Sequence, residues 1–306
     1  NQAYTYFFDM LGESALTAAD ADKYLQHYLT AIEAAGAAKH PGSRNKIVAN
    51  VSIKLSALHP RYEVANQDRV LSEMYESFLI LLKRARELDV RLTIDAEEAD
   101  RLELSLALFE KLYRHPLSRG WGKLGLVVQA YLKPALPVLA WIAALANDQG
   151  DCIPLRLVKG AYWDAEIKLA QQNGYAAYAV YTRKEATDVA YLACERFLLS
   201  EHINGVIYPQ FASHNAHSVA AVAAMASHQN YEFQRLHGMA DALYRHAIDI
   251  FACNVRIYAP VGNYKYLLPY LVRRLLENGA NSSFVHRIVD ANCPVQTLTA
   301  HPVDTL

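Results

Sequence analysis

Short runs in which apolar and polar residues alternate recur along the whole chain, and this pattern predicts β-strands. Seven clear runs cover 50–56, 90–96, 124–130, 153–160, 205–213, 231–238 and 255–262, and a weaker eighth run covers 282–288. Most are followed by a segment with the spacing of an amphipathic helix, namely 70–88, 102–113, 136–146, 161–172 and 184–199. A strand that is followed by a helix each time indicates a parallel sheet with right-handed crossovers.

Eight such repeats in 306 residues favour one architecture of the α/β class, a (β/α)8 barrel of the TIM type, over an open sheet. An additional N-terminal helix over 15–35 is expected to pack outside the barrel or to plug its bottom. The last helix, over 264–277, is expected to lie across the barrel mouth. We find no linker, low-complexity tract or short repeat, so we interpret residues 1–306 as a single domain.

Composition narrows the class of protein further. A formal net charge of −1, without a basic run, argues against nucleic acid as the partner. No apolar run approaches the length of a transmembrane segment, and no secretory segment opens the chain. The four cysteines are widely spaced and predict reduced thiols in the cytosol. Because the first residue is Asn1, we interpret the chain as a trimmed core or fragment of a longer protein.

In a barrel of this kind, chemistry is carried by residues at the carboxyl ends of the strands. These positions hold donors and cations with a single carboxylate: Lys54, Asp95, Gln129, Arg156, Lys159, His214, Asn215, His237 and Tyr258. Such a set suits an anionic ligand or cofactor better than metal-assisted hydrolysis, and we predict no metal site.

Three motifs near these ends have competing interpretations. In "TIDAEEAD" (93–100), Asp95 should face the mouth, whereas Glu97, Glu98 and Asp100 favour the positive end of the following helix. In "FASHNAHS" (211–218), a histidine beside a phosphate or a ring is more plausible than a metal ligand, and a structural histidine stays open. A G-x-G-x-x-G match at 120–125 precedes its strand, so it predicts a turn and not a dinucleotide site.

Two motifs could bind charge. "RLVKGAYW" (156–163) offers cations, a glycine and aromatic faces for a planar ring, although an ordinary loop would also explain it. On the last helix, Arg273 or Arg274 could form a solvated ion pair with Glu277. Alternatively, the two guanidiniums, flanked by tyrosines, could clamp a carboxylate.

Five separated motifs, in order, carry a resemblance to a known family: "SIKLSALHPRY" (52–62), "TIDAEEADRLE" (93–103), "LRLVKGAYWD" (155–164), "YPQFASHNAHS" (208–218) and "YLVRRLLENGANSSFV" (270–285). Together they resemble the proline dehydrogenase domain of the bacterial bifunctional proline utilisation A (PutA) flavoproteins. The resemblance implies a distorted (β/α)8 barrel that binds FAD without a Rossmann fold. It implies oxidation of L-proline to Δ1-pyrroline-5-carboxylate by hydride transfer to flavin N5, with a quinone as the final electron acceptor.

The resemblance also implies partners and a location. In the full-length protein, an aldehyde dehydrogenase domain would accompany this one. The location would be cytoplasmic, with peripheral attachment at the inner membrane. The segments before 231 and between Ala240 and Val255 look shorter than the family usually has.

Site residues follow from the resemblance position by position. The implied catalytic residues are Lys54, Asp95, Arg273 and Arg274. The implied proline-binding residues are Lys54, Tyr162, Leu236, Tyr258, Tyr270, Arg273 and Arg274. The implied FAD contacts are Asp95, Gln129, Arg156, Val158, Lys159, Gly160, Ala161, Trp163, Thr182, Arg183, Lys184, Thr187, Ala212, His214, Asn215, Gln234 and Glu277.

Two other hypotheses stay open at this point. Lys54 and Lys159 both end strands, so a Schiff-base aldolase is one alternative. A barrel that serves only as a scaffold or binding surface is the other, although converging buried charge argues against it.

Overall fold

The structure, a computed structural model, describes residues 4–12, 14–38, 49–228, 230–264, 267–268, 270–272, 274 and 293–306. Eight parallel strands form one closed barrel in sequence order. They are β1 (Tyr4–Met10), β2 (Asn50–Ile53), β3 (Arg91–Ile94), β4 (Leu124–Gln129), β5 (Ile153–Val158), β6 (Ile207–Ala212), β7 (Glu232–Leu236) and β8 (Val255–Val261). The predicted α/β barrel is therefore confirmed.

Helices connect the strands on the outside of the barrel. They are α1 (Ala18–Ala37), α2 (Gln67–Leu88), α3 (Leu102–Tyr113), α4 (Ala135–Gln149), α5 (Trp163–Gln172), α6 (Lys184–Leu198), α7 (Ala216–Met225), α8 (Asp241–Phe251) and, near the end of the chain, α9 (Val295–Thr299). Short 3-10 turns cover Leu55–Ala57, Val64–Asn66, Ala99–Arg101 and Pro302–Thr305. No helix within the described ranges is both long and apolar enough to cross a bilayer.

The strand that closes the barrel differs from the one that the sequence pattern indicated. Strand β1 pairs with both β2 and β8, so Tyr4–Met10 takes the position that we had assigned to 282–288. That weaker run lies outside the described residues. The N-terminal helix is present as α1, but it connects β1 to β2 and packs against α2, so it belongs to the ring of crossover helices.

Alternation along each strand separates an apolar outer face from a polar lumen. In β2, Val51 and Ile53 are fully buried in the layer beneath the helices. Asn50 points the other way and donates through Nδ2 to the Thr93 hydroxyl of β3 at 3.2 Å. Successive side chains point to opposite sides of a strand, so the apolar ones face the helices. The alternate positions place a set of buried polar and charged side chains inside the barrel, where they contact one another.

Candidate functional site

Lys54 follows β2 at the carboxyl end of the barrel and lies between two carboxylates. Its Nζ is 2.7 Å from Asp9 Oδ1 and 3.2 Å from Asp95 Oδ2. All three side chains are at least nine-tenths buried. Asp9 comes from β1 and Asp95 follows β3, so three neighbouring strands deliver one cation and two anions to a single point. A buried charge needs this kind of pairing to be tolerated.

Asp95 is the centre of the cluster, because it accepts hydrogen bonds on both carboxylate oxygens. Oδ1 accepts from Arg156 Nη1 at 2.9 Å and from the Ser52 hydroxyl. Oδ2 accepts from Lys54 and, at 3.1 Å, from the Tyr258 hydroxyl. Burial works to raise the pKa of Asp95, but Lys54 and Arg156 outweigh burial and hold that pKa below its usual value. Asp95 is therefore an ionised acceptor at neutral pH.

Arg156 is fixed on several sides inside the barrel. Its Nε donates to Gln234 Oε1 at 2.7 Å, and its Nη1 donates to Asp95. The guanidinium carbon lies 4.0 Å from the centre of the Phe7 ring and 4.8 Å from that of Tyr258. The third nitrogen, Nη2, is buried and has no hydrogen-bond partner in the described chain. A buried donor of this kind calls for an acceptor that the described residues do not supply.

Burial shifts the pKa values of Lys54 and Asp9 in opposite directions, and a neighbouring opposite charge opposes each shift. Burial lowers the pKa of Lys54, yet Asp9, Tyr258 and Asp95 together raise it well above its usual value. Burial raises the pKa of Asp9, against the opposing effect of Lys54. Lys54 is thus a protonated ammonium at neutral pH and a poor nucleophile, which counts against a Schiff base at this residue.

The loop between β5 and α5 is shaped by Gly160. Its φ of +143° lies in a region that favours glycine, and a Cβ atom there would lie 2.4 Å from the Tyr131 ring. Next to it, the Ala161 N–H donates to Gln129 Oε1 at 3.3 Å. Gln129 Nε2 in turn donates to the Glu97 carbonyl at 2.9 Å. The loop therefore approaches the end of β4 closely.

A second group of cations lies where β5 ends and α6 begins. Lys159 and Lys184 both contact Asp188 of α6. Burial lowers the pKa of Lys159, with Asp188 opposing the shift. Trp163 is 40% exposed and donates through its indole N–H to the Tyr181 carbonyl at 2.8 Å. Two lysines that share one carboxylate leave positive charge for an anionic ligand.

His214 follows β6 and is a neutral acceptor. The Leu236 N–H donates to its Nε2 at 3.1 Å. Burial, followed by Arg274 and Arg235, lowers the pKa of His214 to about 4. Asn215, the next residue, caps α7 through its side chain, which accepts the His217 N–H at 2.9 Å. His214 therefore supplies an uncharged ring to the mouth.

The last predicted helix is described only in part. The guanidinium of Arg274 lies 5.3 Å from the centre of the Tyr270 ring, and Tyr270 is 9% exposed. The positive charge of Arg274 lowers the pKa of His214, so Arg274 lies on the mouth side of the barrel. Arg273 and Glu277 lie outside the described residues.

The other predicted residues occupy the rim or α6. Tyr162 and Ala161 lie in the β5–α5 loop, and Val158, Ala212 and Leu236 end their strands. Thr182 and Arg183 precede α6, in which Thr187 is buried. Arg183 donates to the carbonyl groups of Thr305, at 3.0 Å, and Leu306. His237 follows β7, and its backbone N–H donates to the Tyr258 carbonyl at 2.9 Å.

Three charged residues have contacts that the sequence did not indicate. The sequence pattern did not indicate Asp9 because it did not indicate β1. The run "YTYFFDM" nevertheless has the composition of a strand, and Asp9 is its second-last residue. Glu97 was predicted to favour the start of the following helix, but it is buried and accepts the Ser56 N–H, in the 3-10 turn after β2, at 3.0 Å. Arg235, whose contacts no sequence pattern indicates, donates to the Met239 carbonyl at 2.8 Å and pairs with Asp241.

Within the described part of the chain, no three His, Cys, Asp or Glu side chains are close enough together to hold a metal ion. The clustered acids are instead paired with Lys54 and Arg156. The arrangement can hold a polar or anionic ligand against fixed donors.

Comparison with known proteins gives one consistent result. The family model described as proline dehydrogenase matches residues 1–287. The bifunctional protein PutA of Salmonella typhimurium is 50% identical to this chain, and the match covers 100% of this chain and 24% of that protein. Human mitochondrial proline dehydrogenase 1 is 29% identical over 80% of this chain and 42% of its own length.

Solved structures give the same result. A crystal structure of a Bradyrhizobium japonicum proline utilization A mutant has a TM-score of 0.93 and 48% identity, covering 99% of this chain and 31% of that chain. Proline utilization A from Bdellovibrio bacteriovorus, inactivated by N-propargylglycine, has a TM-score of 0.92 and 30% identity, covering 100% of this chain and 33% of that chain. The chain spans about a quarter of the length of the curated PutA proteins that it matches.

Proposed function

The chain belongs to the proline dehydrogenase family, and from this membership we propose that its barrel oxidises L-proline to Δ1-pyrroline-5-carboxylate with FAD as the cofactor. The observation that carries the proposal is the buried cluster of Lys54, Asp9, Asp95 and Arg156 at the barrel mouth. We also propose that residues 1–306 form a single FAD-binding domain.

The residues present fit a flavin dinucleotide. Arg156 Nη2 is a buried donor without a partner in the described chain, which suits an acceptor on a flavin ring. Lys159 and Lys184 share one carboxylate near the start of α6, which suits a pyrophosphate. Trp163 offers an exposed ring face for stacking. Gln129, Gln234 and His214 would complete the pocket.

A flavin held by Arg156, Gln129 and Gln234 would supply the hydride acceptor for the oxidation of proline. The chain's own residues bind and orient the substrate. The described cluster formally carries two positive and two negative charges, so it is close to neutral. The charge of a proline carboxylate must therefore be met by further cations. Arg273, Arg274 and Lys54 are proposed for this clamp.

Positioning is the main contribution that we propose for these groups. Tyr258, whose ring stacks on Phe7 at 5.3 Å between ring centres, would bound one side of the proline ring. Tyr270, Tyr162 and Leu236 would bound the others and exclude water. Charge-assisted hydrogen bonds to the carboxylate would hold the reacting carbon at a fixed distance, which lowers the entropic part of the barrier.

We further propose a setting for the chain. The PutA proteins that it matches are described as bifunctional and are about four times as long as this chain. An aldehyde dehydrogenase domain elsewhere in the full-length protein would consume the product. A quinone would take the electrons, which would place the whole protein in the cytoplasm at the inner face of a membrane.

An anaerobic absorbance spectrum of the purified chain, before and after L-proline is added, tests this proposal. We expect a flavin band that bleaches with proline. In Arg274→Met, the flavin should be retained while the KM for proline rises by about 10- to 100-fold, the equivalent of one or two lost charge-assisted bonds. Arg69→Met, on the exposed face of α2, is the control. A protein that stays colourless with added FAD would remove the flavin assignment.

N-propargylglycine provides an independent test. Because a relative was inactivated by this compound, we propose that it also inactivates this chain in a time-dependent way. L-proline should protect in proportion to its occupancy of the site. Inactivation that proceeds at the same rate with and without saturating proline would contradict a shared site.

A further inference from the structure

Deeper in the barrel than the proposed site lies an ion pair, between Glu232 of β7 and Arg256 of β8. Arg256 Nε donates to Glu232 Oε1 at 2.7 Å, and Nη2 donates to Oε2 at 3.0 Å. Glu232 is 2% exposed and Arg256 5% exposed. The Tyr208 hydroxyl donates to Glu232 Oε2 at 3.3 Å. Burial opposes ionisation, but Arg256 and then Arg91 lower the pKa of Glu232 below its usual value.

Glu232 also accepts from Gln234, two residues further along the same face of β7. Gln234 Nε2 donates to Glu232 Oε1 at 2.8 Å. An ionised carboxylate can only accept, so the amide of Gln234 must turn its NH2 group toward Glu232. The opposite end of the amide, Oε1, then faces Arg156 Nε at 2.7 Å. The reverse orientation would set donor against donor at Arg156 and acceptor against acceptor at Glu232.

We propose that Glu232 is a positioning residue that acts through the amide of Gln234 to fix the guanidinium of Arg156. Glu232 lies outside the set of residues that would touch substrate or cofactor. With Nε held by Gln234 and Nη1 by Asp95, the guanidinium plane is set between Phe7 and Tyr258. Nη2 is then the nitrogen left for a ligand. The functional consequence of this placement rests on the proposed function, whereas the orientation itself does not.

Two variants separate orientation from general damage to the lumen. Glu232→Gln keeps the shape but provides an NH2 group, which allows the amide of Gln234 to reverse and leaves Arg156 Nε without an acceptor. The double variant E232Q/Q234E restores an acceptor that cannot be reversed, because a carboxylate has no donor. It also keeps the net charge of the lumen. If Glu232 mattered only as the partner of Arg256, the double variant would be as impaired as the single one.

The control is Thr93→Val, which has nearly the same shape as the wild type. It removes the two hydrogen bonds between Thr93 and Asn50, at 3.2 and 3.3 Å, in the same lumen. Neither residue is hydrogen-bonded to Gln234 or Arg156 in the described part of the chain. An effect that comes only from losing a buried polar contact should therefore be seen in Thr93→Val as well.

The first readout is hydrogen exchange of the Arg156 Nε–H in 15N-labelled protein, identified by the signal that Arg156→Lys lacks. We expect slow exchange in the wild type, exchange about tenfold faster in Glu232→Gln, and recovery in the double variant. The second readout is the FAD affinity of the apoprotein, which should fall about tenfold in Glu232→Gln. Because Gln234 is itself a proposed FAD contact, the double variant is judged by the exchange of Arg156 alone. Thr93→Val should match the wild type in both.

The outcomes are decisive in either direction. Unchanged exchange and affinity in Glu232→Gln, or a double variant as impaired as the single one, would overturn the inference. Should Glu232→Gln fail to fold, the double variant decides alone: a protected Arg156 supports the inference, and an unfolded or unprotected one removes it. If the wild type binds no FAD, the proposed function fails, while the exchange measurement still tests the orientation.

Discussion

At the scale of single residues, the most consequential contact is the one between Lys54 and its two carboxylates. Replacing Lys54 by Met leaves Asp9 and Asp95 buried without their shared cation. Loss of one partner from a buried ion pair typically costs about 3–5 kcal/mol. We expect a decrease of this size in the free energy of unfolding at pH 8, measured by urea denaturation. Lys83→Met, at an exposed position of α2, should lie within about 0.5 kcal/mol of the wild type.

The deficit of Lys54→Met should depend on pH. Without the ammonium, the pKa values of both carboxyl groups rise in the folded state, while those in the unfolded chain stay near their usual value of 3.8. The folded variant then binds protons that the unfolded chain does not, so its stability increases as pH falls from 8 toward 4. A deficit that is constant over this range would contradict the pairing.

His214 should contribute with the opposite sign. Its pKa in the folded protein is about 4, below its usual value of 6.5. The unfolded chain therefore takes up the proton first, and the stability present above pH 6.5 is lost as pH falls toward 4. The loss is about 3 kcal/mol when the shift is fully expressed. In His214→Gln, whose carbonyl can still accept the Leu236 N–H, denaturation curves across this range should lack that component.

Tyr258 limits which substrate fits. Its hydroxyl is bound to Asp95, and its ring is stacked on Phe7, so it cannot move aside. We expect 4-hydroxyproline to be a poor substrate, with kcat/KM at least about tenfold below that for L-proline, since a steric conflict of this kind costs about 1–3 kcal/mol. Steady-state rates with both substrates and an artificial electron acceptor give this ratio. Equal values would mean that Tyr258 does not line the pocket.

Residues that end strands could be recognised from the sequence, and partners across the barrel could not. Lys54, Asp95 and Arg156 follow or lie in runs with clear strand alternation. Asp9 was hidden because "YTYFFDM" is mostly aromatic and its alternation is weak. Which acid meets which base depends on the register of all eight strands, a property of the closed ring that no local pattern contains. The same reason explains why the contacts of Glu97 and Arg235 were not predicted.

At the scale of elements, the β5–α5 loop depends on one glycine. A Cβ at Gly160 would lie 2.4 Å from the Tyr131 ring, and its φ is +143°. We expect Gly160→Ala to lower the free energy of unfolding by about 2–4 kcal/mol. Gly174, at φ +64° with no atom within 4 Å of a Cβ, is the matched control, and Gly174→Ala should cost about 1 kcal/mol. Equal losses in thermal denaturation would show that space at Gly160 is not limiting.

Long helices were the elements that the sequence predicted best. Helix α3 begins and ends where the periodicity indicated, and α2 and α4 differ by a few residues at their ends. The reason is that a helix of several turns repeats its pattern, whereas a strand of four residues, such as β2, barely does. The strand predicted over 50–56 includes Leu55 and Ser56 of the 3-10 turn Leu55–Ala57, because the residues of this turn give no sign of the change.

At the scale of the whole molecule, the number of repeats and their order were enough to predict a barrel. The pairing that closes it was assigned to the wrong end of the chain. Both candidate runs are short, and the one at 282–288 keeps the regular strand-after-helix order, whereas β1 precedes every predicted helix. Only the geometry of closure distinguishes them, and that geometry is set by all eight strands at once.

Closure by β1 has a consequence for how the chain acquires its structure. Tyr4 is paired with Val255, and Arg256 Nη1 donates to the Tyr6 carbonyl across 250 residues of sequence. During synthesis from the N-terminus, β1 can pair with β2 early, but its other edge waits until β8 has been made. A sheet edge left open that long is open to pairing with other chains. The slow, late step in folding should therefore be the joining of the first strand to the last, and protection by chaperones would matter most for the growing chain before that step.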